Sequence, residues 1–171
     1  MAILPYKGVM PIIEENVFIA PGAMVIGNVT IREGASIWYN TVIRADTAPI
    51  VIGHRTNIQD NCTLHVDEDA PLTIGDRCTI GHGAVIHGAT LGDQVLVGMK
   101  AVVLSPARIG ARTMIGACAL VGEHKDIPEG VLMLGMPAKY ARELTEAELD
   151  NLVSSAEEYY ERALQHMKSI E

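Results

Sequence analysis

The length, composition and charge of the chain exclude several classes of protein. Its 171 residues are enough for one domain with an appendage, and 49% of them are hydrophobic, although only 4% are aromatic. The formal net charge of −8 argues against a nucleic-acid partner, which would require basic patches. We find neither a secretory signal nor an apolar run of the roughly 18 residues that a membrane span needs. We therefore expect a soluble, cytoplasmic protein with no membrane partner.

The three cysteines indicate free thiols. Cys62, Cys78 and Cys118 are odd in number and form no C-x-x-C motif. We expect all three to be reduced and buried, in a reducing compartment.

Aliphatic residues recur every six positions along most of the chain, and a small or β-branched residue stands four positions after most of them. A period of six matches neither the 3.6 of a helix nor the alternation of a single strand. It favours a parallel β-helix over an ordinary β-sandwich. The aliphatic markers are Ile19, Val25, Ile31, Ile37, Ile43, Ile52, Ile58, Leu64, Ile74, Ile80, Ile86, Leu91, Val97, Val103, Ile109, Ile115, Val121 and Ile127.

The repeat resembles that of the left-handed β-helix family, in which three hexapeptides form one coil of a triangular prism. The handedness is implied by that resemblance alone, and it runs against the usual right-handed crossover. We expect residues 1–138 to form an all-β left-handed parallel β-helix domain. Each buried marker should stabilise it by roughly 1.5–3 kcal/mol.

Three faces per coil place every third marker on the same face, so the direction of the polar residues can be predicted. On the first face, Arg44, His65 and His87 each follow a marker, on successive rungs roughly 4.8 Å apart. Asp46 lies on the rung of Arg44. The two histidines are therefore expected one above the other. The first-face markers are Val25, Ile43, Leu64, Ile86, Val103 and Val121. The second-face markers are Ile31, Ile52, Ile74, Leu91, Ile109 and Ile127, and the third-face markers are Ile19, Ile37, Ile58, Ile80, Val97 and Ile115.

A second polar column is predicted on the third face. Gln59 and Asp60 follow the marker Ile58, and His82 lies one rung from Asp60. Two outward columns on different faces of a prism diverge, so one chain should not bring His82 to the first-face pair. A threefold arrangement solves this, because the third face of one copy can meet the first face of the next. We therefore predict a homotrimer with metal sites at its interfaces.

The last part of the chain, residues 139–171, is predicted to form a linker and an α-helix packed along the prism. Thr145 and Glu148 form a capping box. Apolar residues at helical spacing then mark one broad side. We expect a helix of roughly 25 residues.

Three histidines suggest metal chemistry, whereas a lone histidine would more often be a surface hydrogen-bonding group. That simpler interpretation is kept for His54, His124 and His166, which have no such company. Three imidazoles leave one coordination position open, as in catalytic rather than structural zinc sites. Imidazole ligands suit zinc, and equally iron or cobalt.

Five segments resemble the γ-class carbonic anhydrases. They are R-A-D at Arg44–Asp46, N-I-Q-D-N at Asn57–Asn61, the histidine at His65, G-H-G-A-V-I-H-G at Gly81–Gly88 and G-M-P-A at Gly135–Ala138. The resemblance implies that His65, His82 and His87 bind one metal in a homotrimer, with ligands from two subunits. It implies reversible hydration of carbon dioxide to bicarbonate by a metal-bound hydroxide. The bound water would have a pKa of about 7, a value known from carbonic anhydrase itself.

The same resemblance assigns roles to five further residues. Gln59 would orient the hydroxide or bicarbonate. Arg44 and Asp60 would form an ion pair between subunits, and Asp46 would support Arg44. Tyr159 matches the position of a tyrosine that lies near the site on the C-terminal helix.

Two departures from that family bear on the proton that must leave the bound water. Thr47 stands where the best-studied members have a glutamate beside R-x-D. Those members also carry a longer acidic loop with a shuttle glutamate, and here only V-D-E-D-A-P follows His65. Glu68 could replace the shuttle, or Asp67–Asp69 could be a solvated turn, which we favour. Slow proton removal is therefore expected.

Other functions fit the same scaffold. A hexapeptide acyltransferase would use one histidine as a base towards an acyl-CoA, without a metal. A non-enzymatic assembly subunit would keep the metal as a structural clamp. A third alternative is a metal-dependent thioester hydrolase. Metal content and coenzyme A binding separate these possibilities.

Overall fold

The prism is a left-handed parallel β-helix followed by a hairpin and one α-helix, and a computed structural model describes residues 2–170. Twelve short strands form a continuous sheet over the first and second faces, because β4 and β6 are long enough to pass the corner between them. These strands are β1 (Ala2–Leu4), β2 (Ile12–Ile13), β4 (Met24–Ile31), β6 (Val42–Ile52), β8 (Thr63–His65), β9 (Leu72–Ile74), β11 (Val85–His87), β12 (Ala89–Leu91), β14 (Val102–Val103), β15 (Ala107–Ile109), β17 (Leu120–Val121) and β18 (Asp126–Ile127).

The third face is a separate sheet of eight strands. Its strands pair in parallel except for the last two, which form an antiparallel hairpin. The strands are β3 (Phe18–Ile19), β5 (Ser36–Ile37), β7 (Asn57–Ile58), β10 (Thr79–Ile80), β13 (Leu96–Val97), β16 (Met114–Ile115), β19 (Val131–Leu134) and β20 (Lys139–Glu143).

The strand register confirms the predicted assignment of markers to faces. On the first face Ile43 pairs with Leu64, and Leu64 pairs with Ile86. On the third face Ile58 pairs with Ile80. All the markers are buried in one continuous core. The six-residue period therefore stacks like residues on like, and each rung satisfies the backbone groups of the next.

The polar groups inside the prism are paired. The hydroxyl of Thr41 donates to the carbonyl of Gln59 at 2.7 Å, and that of Thr56 donates to the carbonyl of Gly75 at 2.7 Å. Within residues 2–170, every buried side-chain nitrogen or oxygen has a hydrogen-bond partner. The repeat thus accepts threonine in an aliphatic core without leaving an unsatisfied group.

The cysteines differ from one another in exposure. Cys62 and Cys78 are buried, and burial raises the pKa of their thiols to about 11 and about 12. Cys118 is exposed, so the expectation that all three are buried was wrong for this residue. Cys118 lies at a corner between two faces, where its backbone has a left-handed φ of 59°. Its side chain is therefore outside the core.

The segment after the prism contains a strand that the sequence did not predict. β20 pairs with β19 where the hexapeptide rhythm has stopped and only a linker was expected. Helix α1 then spans Glu146–Ile170, which confirms the predicted length. The capping box is formed: the backbone N–H of Thr145 donates to Glu148 at 2.9 Å, and the N–H of Glu148 donates to the Thr145 hydroxyl at 3.3 Å. The division at residue 138 stays a prediction.

Helix α1 packs on the third face through aromatic rings and ion pairs. Trp38 meets Tyr159 edge to face, with centroids 5.4 Å apart. Arg55 and Arg77 both bind Glu157, at 2.7 and 2.9 Å. Among the described residues, α1 is too polar to cross a membrane, and no other helix is present. The helix therefore fixes Tyr159 beside the rungs that carry Gln59 and Asp60.

Candidate metal centre

His65 and His87 form a stacked pair on the first face, as the register predicted. They end the adjacent strands β8 and β11 and are direct partners in the ladder. Their ring centroids lie 4.9 Å apart, and Nδ1 of His65 lies 2.9 Å from Nε2 of His87. Both side chains are about a quarter exposed, at 22% and 27%. One nitrogen of each ring therefore faces a common point at the protein surface.

Asp46 holds the outer nitrogen of His65. Its Oδ1 lies 2.9 Å from Nε2 of His65, and its Oδ2 accepts a hydrogen bond from Arg44. Burial raises the pKa of Asp46, but the hydrogen bond from His65 and the charge of Arg44 outweigh it and lower the pKa overall. An ionised carboxylate only accepts, so Nε2 of His65 carries a proton and Nδ1 presents its lone pair.

Ser105 occupies the matching position on His87. Its hydroxyl lies 3.2 Å from Nδ1 of His87 and also bonds Asp67. Nε2 is thus the nitrogen of His87 that faces Nδ1 of His65.

The donor set fits a divalent metal. The two facing nitrogens lie at a hydrogen-bond distance of 2.9 Å, and a divalent cation between them would be bound by a lone pair from each ring. Imidazole nitrogens on one tetrahedral zinc are about 3.4 Å apart, so a small opening of the pair would admit it. The outer nitrogen of a metal-ligating histidine is usually held by a carboxylate or another polar group, as Asp46 holds that of His65.

His82 is held in the same manner on the third face. Its Nδ1 lies 2.9 Å from Oδ2 of Asp60, which leaves Nε2 free of this contact. The other oxygen of Asp60 accepts the backbone N–H of Tyr39 at 3.1 Å. Gln59 is 5% exposed and accepts the N–H of His82 at 3.2 Å, while its amide donates to Asn57 at 3.2 Å. The predicted third-face column is therefore connected by hydrogen bonds.

A single protomer does not bring the two columns together. Within residues 2–170, no three side chains of the His, Cys, Asp or Glu type are grouped so that they could hold a metal. The structure places His65 with His87 and leaves His82 with Asp60. This matches the expected divergence of the two faces.

The remaining predicted residues lie around these two columns. Arg44 is 46% exposed and bonds Asp46 within its own chain. The ring of Tyr159 lies 5.3 Å from the guanidinium of Arg162. Burial raises the pKa of Tyr159, the charge of Arg162 opposes this, and the charge of Asp60 adds to it. The Arg44–Asp60 ion pair between copies stays a prediction.

The short acidic loop is more than the solvated turn that we favoured. Asp67 and Ala70 close a tight turn, and Asp67, Glu68 and Asp69 are all exposed, which confirms the solvated turn. Asp67, however, accepts the hydroxyl of Ser105. Ser105 was missed, although it lies two residues after the first-face marker on the rung that follows His87. Thr47 bonds the carbonyl of Val66 at 3.2 Å.

An apolar groove lies beside His82 on the third face. Its volume is about 450 Å³, and Gln59 and His82 lie at its polar end. Met99 and Met114 line its wall, and Ser155 of helix α1 borders it. A small apolar molecule could thus approach the third-face column.

Comparisons with known proteins agree with this architecture. Residues 10–45 match the family model "Bacterial transferase hexapeptide (six repeats)", and residues 71–105 match "Hexapeptide repeat of succinyl-transferase". A crystal structure from Bacillus cereus, provisionally named an acetyltransferase, superposes with a TM-score of 0.96 at 40% identity. The match covers 99% of this chain and 98% of that one.

Curated relatives carry a different functional name. A carbonic anhydrase from Geobacillus kaustophilus is 45% identical over 99% of this chain and 92% of its own length. Gamma carbonic anhydrase 2 of Arabidopsis thaliana mitochondria is 42% identical over 91% of this chain. The chain spans only 58% of the length of that plant relative.

Proposed function

The chain belongs to the γ-class carbonic-anhydrase-like family of hexapeptide-repeat proteins, and on this premise we propose that it is a lyase catalysing the reversible hydration of carbon dioxide to bicarbonate. The observation that carries the proposal is the His65–His87 pair, whose facing nitrogens lie 2.9 Å apart while their outer nitrogens are engaged. Acyl transfer through one histidine base does not require such a pair.

The ligands that would hold the metal come from two copies of the chain. His65 and His87 of one copy would supply Nδ1 and Nε2, and His82 of a second copy would supply Nε2. A head-to-tail contact of this kind closes into a ring when its rotation is threefold, and three copies then give one site at each interface. Zinc, iron or cobalt would suit three imidazoles. When bound, the metal would supply Lewis acidity and lower the pKa of a coordinated water to about 7, as in carbonic anhydrase itself.

The other residues of the chain position the reactants. Gln59 is buried and fixed by Asn57 and the N–H of His82, so it can orient an oxygen of bicarbonate without further ordering. Asp46 and Asp60 hold the rings of His65 and His82. The apolar groove beside His82 would admit carbon dioxide, which has no net charge or dipole.

The proposal includes two further contacts at the interface between copies of the chain. Arg44 is half-exposed and would meet Asp60 of the next copy, while Asp46 holds it from its own chain. Tyr159 would approach the same interface from helix α1, because its ring packs on Trp38, which follows the third-face marker Ile37. Both contacts would strengthen the arrangement that brings His82 to the pair.

Metal content together with carbon dioxide hydration tests the function. The purified protein, loaded anaerobically with zinc or iron, should hold about one metal per chain and hydrate carbon dioxide. His87→Ala should lose both properties, and His54→Ala is the matched control because His54 is exposed and lies away from both columns. Full metal content without hydration in the wild type would instead indicate a structural clamp or a thioester hydrolase.

A mixing experiment tests the shared site. His65→Ala and His82→Ala should each lose the metal as pure proteins. Refolded together in equal amounts, they should regain about a quarter of the sites, since an interface is complete only where an intact first face meets an intact third face. No recovery on mixing would contradict the intersubunit site.

Acyl transfer is the second candidate, because both family models are named for transferases and the Bacillus cereus structure is named for acetyl transfer. Calorimetry with acetyl coenzyme A distinguishes the two. Binding by a metal-free protein that lacks hydration activity would favour transfer.

A further inference from the structure

Ser105 lies next to the first-face pair and belongs to neither predicted column. It follows strand β14, on the rung after His87. Its hydroxyl is 3.2 Å from Nδ1 of His87 and bonds the carboxylate of Asp67. Asp67 itself lies 3.4 Å from the same ring nitrogen. A serine and a carboxylate from two different rungs therefore converge on one imidazole.

The direction of these hydrogen bonds can be worked out from the number of protons. A serine hydroxyl has one proton, and a carboxylate only accepts, so the proton of Ser105 goes to Asp67. The hydroxyl oxygen must then accept from Nδ1 of His87. Nδ1 consequently carries the proton of the neutral ring, and the lone pair is on Nε2.

The surrounding backbone is shaped to keep Ser105 in this position. Gly88 directly follows His87 and has a left-handed φ of 45°. A Cβ on Gly88 would lie 2.6 Å from Cβ of Ser105 and 2.7 Å from the carbonyl oxygen of Ala70. Only glycine therefore lets Ser105 and the 67–70 turn close on His87 together.

We propose that Ser105, held by Asp67, is the positioning residue of His87: it fixes the Nδ1–H tautomer and turns Nε2 towards the metal. The proposal rests on the metal site of the proposed function. It also gives the short acidic loop a role, since Asp67 orients the serine that orients the ligand. All three histidines would then be held at their outer nitrogen, His65 by Asp46, His82 by Asp60 and His87 by Ser105.

Zinc affinity, measured by competition with a chelator on the full chain, is the first test. Ser105→Ala should weaken binding about 10- to 100-fold, the usual loss when the partner of a ligating histidine is removed. Ser105→Thr keeps the hydroxyl and should stay within about threefold of wild type. Ser154→Ala is the matched control, because that hydroxyl bonds only helix carbonyls. An unchanged affinity in Ser105→Ala would overturn the proposal.

The tautomer of His87 is the second test, and a merely structural serine would not set it. Long-range proton–nitrogen NMR should show the proton of His87 on Nδ1 in the wild type, and a mixed or reversed tautomer in Ser105→Ala. Asp67→Asn should produce a smaller change in the same direction, and the exposed neighbour Asp69→Asn should produce none. A wild-type His87 that carries its proton on Nε2 would refute the assignment.

The two measurements separate this proposal from the proposed function. A wild-type protein that bound no zinc would refute the proposed function. The tautomer can still be read on the metal-free chain, where the bond from His87 to Ser105 is expected unchanged. Loss of zinc affinity in Ser105→Ala with no hydration activity in any variant would support the positioning role and contradict only the reaction.

Discussion

The histidines on the first and third faces of the prism each have a polar partner at one ring nitrogen. The two faces differ in whether a second histidine lies on the adjacent rung. On the first face, His65 and His87 stand one rung apart with two nitrogens 2.9 Å from each other. On the third face, His82 is held by Asp60 and has no histidine on the rungs beside it. In the proposed site each face offers part of the ligand set, and within residues 2–170 of one protomer the two parts are not brought together. Under the proposed function, a second copy of the chain would complete the site.

The largest effect is expected when one of the proposed histidine ligands is removed, from either face, in two separate variants. His87→Ala and His82→Ala should weaken zinc binding by similar factors, although the residues lie on different faces. The loss should exceed the roughly 10- to 100-fold that removal of a ligand's own partner costs. Competition with a chelator measures both. Unimpaired binding in His82→Ala would show that the first face is sufficient.

The carboxylates that hold the two outer nitrogens give the next largest effect. Asp46→Asn and Asp60→Asn should each lower zinc affinity about 10- to 100-fold, because an amide no longer fixes the ring proton as a carboxylate does. Asp93→Asn is a matched control on the second face, where Asp93 accepts only the backbone N–H of Asp76. A loss in Asp46→Asn alone would leave the third face without a role in metal binding.

The role of the Tyr159 hydroxyl beside the third face can be tested separately from the packing of its ring. Tyr159→Phe keeps the ring that packs on Trp38, so the free energy of unfolding should stay within about 0.5 kcal/mol of wild type. Carbon dioxide turnover should fall several-fold if the hydroxyl acts near Asp60, and stopped-flow assays measure it. Tyr160→Phe, whose ring lies on Arg55 instead, should leave turnover unchanged. Equal turnover in both variants would reduce Tyr159 to a packing residue.

The smallest effect lies outside both faces, at the start of helix α1. Hydrogen bonds from Arg142 and Thr145 lower the pKa of Glu148 to about 2. The depressed value means that this carboxylate stabilises the fold above its unfolded pKa of about 4.5, and that the contribution disappears as the pH falls towards 2. Glu148→Gln should therefore melt slightly below wild type at pH 7, and the difference should shrink between pH 4.5 and 2. A difference that persists at pH 2 would contradict this origin.

Much of the site could be predicted because the repeat converts sequence distance into spatial distance. His65 and His87 are 22 residues apart, yet the register count places them on adjacent rungs, and the ladder confirms it. The same count placed His82 beside Asp60, which bond at 2.9 Å. Strand β20 could not be found in this way, because it lies beyond the last marker and pairs in the opposite direction.

The six-residue period predicted a parallel β-helix, and the resemblance to the left-handed β-helix family added its three faces, on which the register count stacks the histidines. The capped helix was also predictable, because a capping box and apolar residues at helical spacing are local sequence features. The hydrogen bonds between side chains at the surface could be seen only in the three-dimensional structure. Ser105 and Asp67 meet at His87 because a corner turn closes over Gly88, and a repeat count does not describe corners. Hydrogen-bond direction depends on atoms and angles, which periodicity leaves open.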